Sequence, residues 1–167
     1  MTRCTHPAIG DSEAARSGME RAAHVSMAVN APFPHRYAVS LADGLLSANP
    51  RPSIPAGAPP QFGGTDKVWS PEELLVAAVL LCLKTTFDAY ARRDALDVRD
   101  WRGTATGVLE KSPTGPAFTS VQLHVQVKVG PGDEERARKL LDTAEHHCII
   151  ANAIKAPVQL EASVSSD

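Results

Sequence analysis

The longest apolar block in the chain runs from Leu74 to Leu83, ten residues without a break, and includes Cys82. It follows "WSPEE", in which Ser70 suits an N-cap, Pro71 the first helical turn, and Glu72 and Glu73 the positive end of the helix dipole. Ser70 and Glu73 also stand at capping-box spacing. The block predicts a helix running to about Ala95. Its first half is apolar all round, so it is expected to be buried on every side by sheets or by a partner subunit. Elsewhere the period is two. Tyr37, Val39 and Leu41 alternate before the turn signal "ADG" at 42–44, which predicts a hairpin. Thr104, Thr106 and Val108 suggest a strand ending at "KSPTGPA". Val121, Leu123, Val125, Val127 and Val129 alternate with Gln122, His124, Gln126 and Lys128, a strand with one buried face. A second helix is predicted from an N-cap at Asp133. Its apolar stripe comprises Ala137, Leu140, Leu141, Ala144, Cys148 and Ala151. "VQLEASV" after Pro157 closes the chain as a strand. The order of strands and helices predicts an α+β domain.

Two segments fall outside these patterns. Residues 1–34 show no apolar period and read as a flexible N-terminal tail, leaving 35–167 as the domain. Met27 is an alternative start. Between Pro50 and Pro60 five prolines make a long, stiff loop, a kind of segment that is often functional.

Composition narrows the classes. The chain has 167 residues, enough for one domain with its own core, and a net charge of -2. No basic cluster interleaved with aromatics is present, so nucleic acid is not expected as a partner. The apolar block is shorter than the ~20 residues a bilayer span needs, and the N-terminus lacks a secretory apolar core. The expected setting is cytoplasmic, with no membrane partner. Three cysteines there are core thiols or working redox groups, not a disulfide framework.

"SPEELLVAAVLLCL", followed at a distance by "AEHHCIIANAI", resembles the OsmC/Ohr family of organic hydroperoxide reductases. The match rests on Pro71, Glu72, Leu74, Cys82, Cys148, Asn152 and Ala153, and covers about Tyr37 to Val164. The resemblance implies an intertwined homodimer, with two central helices per chain wrapped by antiparallel sheets. It implies that Cys82 attacks an organic hydroperoxide and that Cys148 resolves the product as a disulfide. A dithiol reductant, such as a lipoylated protein, would then reset the pair. No metal or organic cofactor is implied. Family members also carry an arginine, steered by the glutamate, that activates the first cysteine. "SLADGLLSA" holds none, and the candidates are Arg36, which lies earlier, and Arg51, which lies later.

Each candidate has a plainer reading. Free cysteine is a common core hydrophobe, and this applies to both Cys82 and Cys148. In mid-helix Cys82 gains nothing from a helix N-terminus, so a thiol of pKa ~8.5 needs a cationic neighbour to ionise at neutral pH. Cys148 must come within ~7 Å of Cys82, Cα to Cα, to bond with it. Cys4, in the tail, is expected to be inert. Glu72 could simply complement the dipole. Ten residues of helix rise ~15 Å, so Glu72 can act near Cys82 only from another subunit. His146, His147 and Cys148 are adjacent and diverge around a helix, which argues against a metal site. One histidine is expected at the surface and the other beside the thiols. Leu45, Leu46, Ile54, Phe62 and Trp69 are candidates for an apolar entry. The alternative function is a redox-inactive dimer of the same fold that binds an apolar small molecule in the same cleft.

Overall fold

The computed structural model describes residues 33–167. Met27, Cys4 and nearly all of the expected tail lie outside them. The hairpin forms as β1 (Ser40–Ala42) and β2 (Leu45–Ser47), joined through Asp43 and Gly44. Both turn residues have positive φ, 51° and 72°, as a tight Asp-Gly hairpin turn requires. A two-residue strand, β3 (Ile54–Pro55), adds to β2. The chain then passes through a 3₁₀ turn at Pro60–Phe62 into the long helix α1 (Pro71–Arg93).

At the start of α1 Ser70 Oγ accepts from the Glu73 N–H at 3.1 Å, and Glu73 Oε2 accepts from the Ser70 N–H at 2.8 Å. The capping box is therefore complete. The helix stops two residues before Ala95. The Leu96 N–H returns to the Ala91 carbonyl, the Ala95 N–H returns to that of Arg92, and Ala95 adopts a φ of 50°. This pair of reversed bonds satisfies the last carbonyls and ends the helix.

The main sheet has the order β4–β5–β6: β4 (Val98–Ser112), β5 (Gly115–Val129) and β6 (Val158–Ser166). β4 and β5 form one long antiparallel hairpin whose turn is only Pro113–Thr114, so β5 starts well before the valine-rich stretch. β6 pairs parallel to β5, making this sheet mixed where an antiparallel one was expected. The reason is topological: two helices separate β5 from β6, and such a crossover returns the chain in the same direction. The inward face of β5 is as expected, with Val121, Leu123, Val125, Val127 and Val129 all buried. On β4 the threonines point outward. The inward positions are Trp101, Gly103, Ala105 and Gly107. A Cβ on Gly107 would lie 2.6 Å from Val76 and 2.7 Å from Phe118, and one on Gly103 would lie 2.6 Å from Trp101. The missing side chains let the first half of α1 lie close on the sheet.

The second predicted helix is two helices, α2 (Glu134–His146) and α3 (Ile149–Ala153). Asp133 caps α2 by position only. Its side chain instead accepts from Arg136 and from the Asp97 N–H. The break falls at His147 and Cys148, and the Asn152 side chain donates to the freed His146 carbonyl at 3.0 Å. The core collects Val79, Leu83, Phe87 and Tyr90 of α1, the β5 valines, and Ala137, Leu141 and Ala144 of α2. α1 is long and apolar enough to cross a membrane by length and composition, yet it packs this stripe into the core. The expectation of burial on every side does not hold within one chain. Only Val79 and Leu83 of the apolar block are buried, and Leu81 is 63% exposed.

Phe87 is fully enclosed at the centre of this core. Phe87→Ala should cost ~3–5 kcal/mol, read as a lower denaturation midpoint at unchanged slope.

Candidate active site at the two thiols

The α1 stripe and the α2–α3 elbow bring Cys82 and Cys148 together. Cys148 is the residue before α3, in extended conformation (φ -67°, ψ 107°), and is 1% exposed. Its Sγ lies 4.0 Å from the carbonyl of Val79, one helical turn before Cys82. The Cys82 thiol is near enough to perturb the titration of Cys148. Cys82 is half-buried, and no disulfide joins the two. Burial pushes the Cys148 thiol up to about 11. The Ala151 N–H works against this, and Cys82 adds to it by hydrogen bonding and charge. The pair is therefore asymmetric: one thiol can be reached from solvent, and the other is enclosed and stays protonated at neutral pH.

The other predicted residues lie elsewhere. Glu72 sits at the start of α1 with Oε2 buried and without a hydrogen-bond partner. It lines a groove of about 890 Å³ with Phe62, Trp69, Leu80, Leu109 and Phe118. Phe62 and Trp69 thus belong to an apolar recess as expected, whereas Leu45, Leu46 and Ile54 are not part of its lining. Leu80 faces the groove, and Cys82, two residues on, is turned ~200° around the helix. Within one chain the groove and the thiols open on opposite sides of α1. Arg36 and Arg51 are both exposed. Among the described residues neither makes a side-chain hydrogen bond or an ion pair, so no such contact joins either to Cys82.

Both histidines of "HHC" are exposed. His146 Nδ1 bonds to the Asp142 carbonyl at 2.7 Å. His147 Nδ1 bonds to the hydroxyl of Tyr90 at 2.9 Å. Tyr90, buried near the end of α1, was not singled out in the sequence. An aromatic residue at helical spacing from Leu83 reads as ordinary core, and nothing local marks its hydroxyl as tied to a residue 57 positions later.

The comparisons agree with this architecture. The family model for OsmC-like protein matches residues 64–163. The chain belongs to the OsmC-like family. An OsmC-like protein of unknown function from Vibrio cholerae shares 25% identity over 71% of this chain and 82% of its own, at a TM-score of 0.65. An organic hydroperoxide resistance protein OsmC from Legionella pneumophila shares 19% identity over 81% of this chain and 98% of its own, at 0.58. A putative organic hydroperoxide resistance protein from Vibrio cholerae, solved with captopril in one of its active sites, shares 20% over 81% and 95%, at 0.60. No curated protein matches the chain.

The asymmetry of the thiols sets their labelling order. Iodoacetamide on the native protein at pH 8 should modify Cys82, with Cys148 reacting only after unfolding; peptide mass spectrometry reads both. The folded value of Cys148 lies above the ordinary 9.0. Its contribution to stability is therefore complete below pH 9.0 and is lost as the pH rises towards about 11. Over that window the wild type should lose more stability than Cys148→Ala, measured by denaturant unfolding at each pH.

Proposed function

We propose that the protein is a thiol-dependent peroxidase that reduces organic hydroperoxides to alcohols. The observation that carries this reading is the juxtaposition of a reachable Cys82 and an enclosed, protonated Cys148. The Cys82 thiolate attacks one peroxide oxygen. The O–O bond breaks, the alkoxide takes a proton and leaves as alcohol, and Cys82 becomes a sulfenic acid. Cys148 then attacks the Cys82 sulfur. The S–S bond forms, the S–O bond breaks, and the hydroxyl leaves as water with the Cys148 proton. A dithiol of cytoplasmic type, such as a lipoylated protein, returns the pair to the reduced state by exchange. Family membership supports the reading, as do relatives named for organic hydroperoxide resistance.

The working form we propose is a homodimer. Leu81, Tyr37, Val39 and Leu41 are 63%, 91%, 71% and 65% exposed in one chain. Such a surface is unusual on a monomer and favours a second copy. The dimer would also explain how Glu72 and an arginine contribute near Cys82, since the rise of α1 separates Glu72 from the thiol of its own chain. Arg36 and Arg51 are the candidates for that role. The second reading, a binding protein without redox turnover, is favoured by the apolar groove with its unpaired Glu72 oxygen.

Cys82→Ser should abolish reduction of cumene hydroperoxide. Cys148→Ser should consume about one equivalent of peroxide and then stall as a sulfenic acid that a dimedone probe traps. Full turnover by Cys82→Ser would overturn the peroxidase reading in favour of binding. Light scattering should give about twice the 17.7 kDa chain mass. A folded monomer at micromolar concentration would rule out the dimer.

A further inference from the structure

Cys148 sits in a break between two helices, and something must hold that break against α1. The backbone there is tied mainly to itself. The His147 N–H reaches the Thr143 carbonyl, the Cys148 N–H reaches that of Glu145, and the Asn152 N–H returns to that of Cys148. The Asn152 side chain bonds to the His146 carbonyl. These bonds shape the elbow without fixing its distance from Cys82. Among the described residues two polar contacts cross from the elbow to α1: the long 4.0 Å contact of Cys148 Sγ with the Val79 carbonyl, and the much shorter hydrogen bond between His147 Nδ1 and Tyr90 Oη at 2.9 Å. Tyr90 is 2% exposed, so its ring is locked in the core. The Arg93 guanidinium lies over that ring, 5.1 Å from its centroid. Tyr90 stands eight residues after Cys82 on α1, and His147 immediately precedes Cys148.

We propose that Tyr90 and His147 are a positioning pair for the dithiol: their hydrogen bond holds the α2–α3 elbow on α1 so that Cys148 stays within bonding reach of Cys82. Neither residue touches the reacting sulfur atoms. The pair acts on the effective concentration of one thiol at the other. It should therefore influence every reaction that closes the Cys82–Cys148 bond, whatever the oxidant. This role rests on the reading of the two thiols as a redox pair, not on peroxide being the substrate.

The test uses oxidised glutathione. In that equilibrium the protein dithiol loses two electrons and two protons to form the disulfide, and one glutathione disulfide becomes two thiols. Tyr90→Phe keeps the ring and deletes only the hydroxyl. It should lower the equilibrium constant for closing the bond by about fivefold, the size of one net hydrogen bond. For this two-electron couple that is a rise of ~20 mV in reduction potential. His147→Ala should match it, and the double variant should add nothing further. His147→Asn, which can present a nitrogen near the place of Nδ1, should restore most of the effect. With cumene hydroperoxide, the lifetime of the Cys82 sulfenic acid should lengthen by a similar factor, relative to peroxide consumption in the same sample.

A wild-type equilibrium constant in Tyr90→Phe would overturn the proposal. So would a wild-type protein that closes no Cys82–Cys148 bond at any glutathione ratio. If glutathione closes the bond and peroxide does not, the peroxidase reading fails while the glutathione comparison still decides the positioning role.

Discussion

The enclosure of Cys148 against α1 is the contact on which the rest of the site depends. A thiol at 1% exposure in an apolar setting is inert by itself. Its value comes from its neighbour. Because Val79 and Leu83 are buried on the same side of α1, the elbow closes over Cys148 and leaves Cys82 at the edge of the packing. Burial that keeps one thiol protonated also keeps it from being the first to meet an oxidant. A division of labour between chemically identical side chains thus follows from where the core ends.

The close seating of α1 on the sheet follows from absent side chains. Gly103 and Gly107 give β4 an inward face shallow enough for Leu80 and Val76 to approach. On the same side the proline-rich loop folds back towards the helix, with the Gly57 N–H donating to the Trp69 carbonyl and the Trp69 N–H to that of Pro55. The outcome is a groove with apolar walls and one carboxylate oxygen left without a partner. An unsatisfied buried acceptor costs ~1–3 kcal/mol, more when charged, so Glu72 is an incomplete feature of the single chain.

Much of this was legible in the sequence, and the failures have physical causes. The capping box at Ser70, the Asp-Gly hairpin turn and the alternating valines of β5 are local signals, and the structure contains each of them. The two-motif spacing around Cys82 and Cys148 named the family before any geometry. The break before α3 was not legible. The stripe from Ala137 to Cys148 keeps helical period across it, and the bond that satisfies the broken end comes from Asn152, whose role depends on the break itself. The inward face of β4 was not legible because glycine and alanine carry little hydrophobic signal, whereas the threonines beside them mark a strand without saying which face is buried. The all-round burial of α1 was inferred from composition. Composition states how much apolar surface needs covering, not which chain covers it.

That last distinction bears on how the site is completed. Along α1 the apolar block presents two sides, and a single chain finishes only one. On the finished side Val79, Leu83 and Phe87 are enclosed and the two thiols meet. On the other, Leu81 is bare. At the start of α1 Glu72 has an unpaired oxygen, Tyr37 and Val39 before β1 and Leu41 within it are exposed, and the side chains of Arg36 and Arg51 have no hydrogen-bond or ion-pair partner among the described residues. A buried carboxylate oxygen needs a donor, exposed cations need an anion, and bare apolar side chains need cover. The helix rise keeps Glu72 ~15 Å from Cys82 of its own chain, so rotamer changes within α1 cannot join acid and thiol. Under the proposed dimer one event meets all of these demands. A second copy would cover the open side of each α1 and set one chain's charged groups towards the other chain's thiols. The redox pair would then belong to one subunit and its electrostatic activation to both.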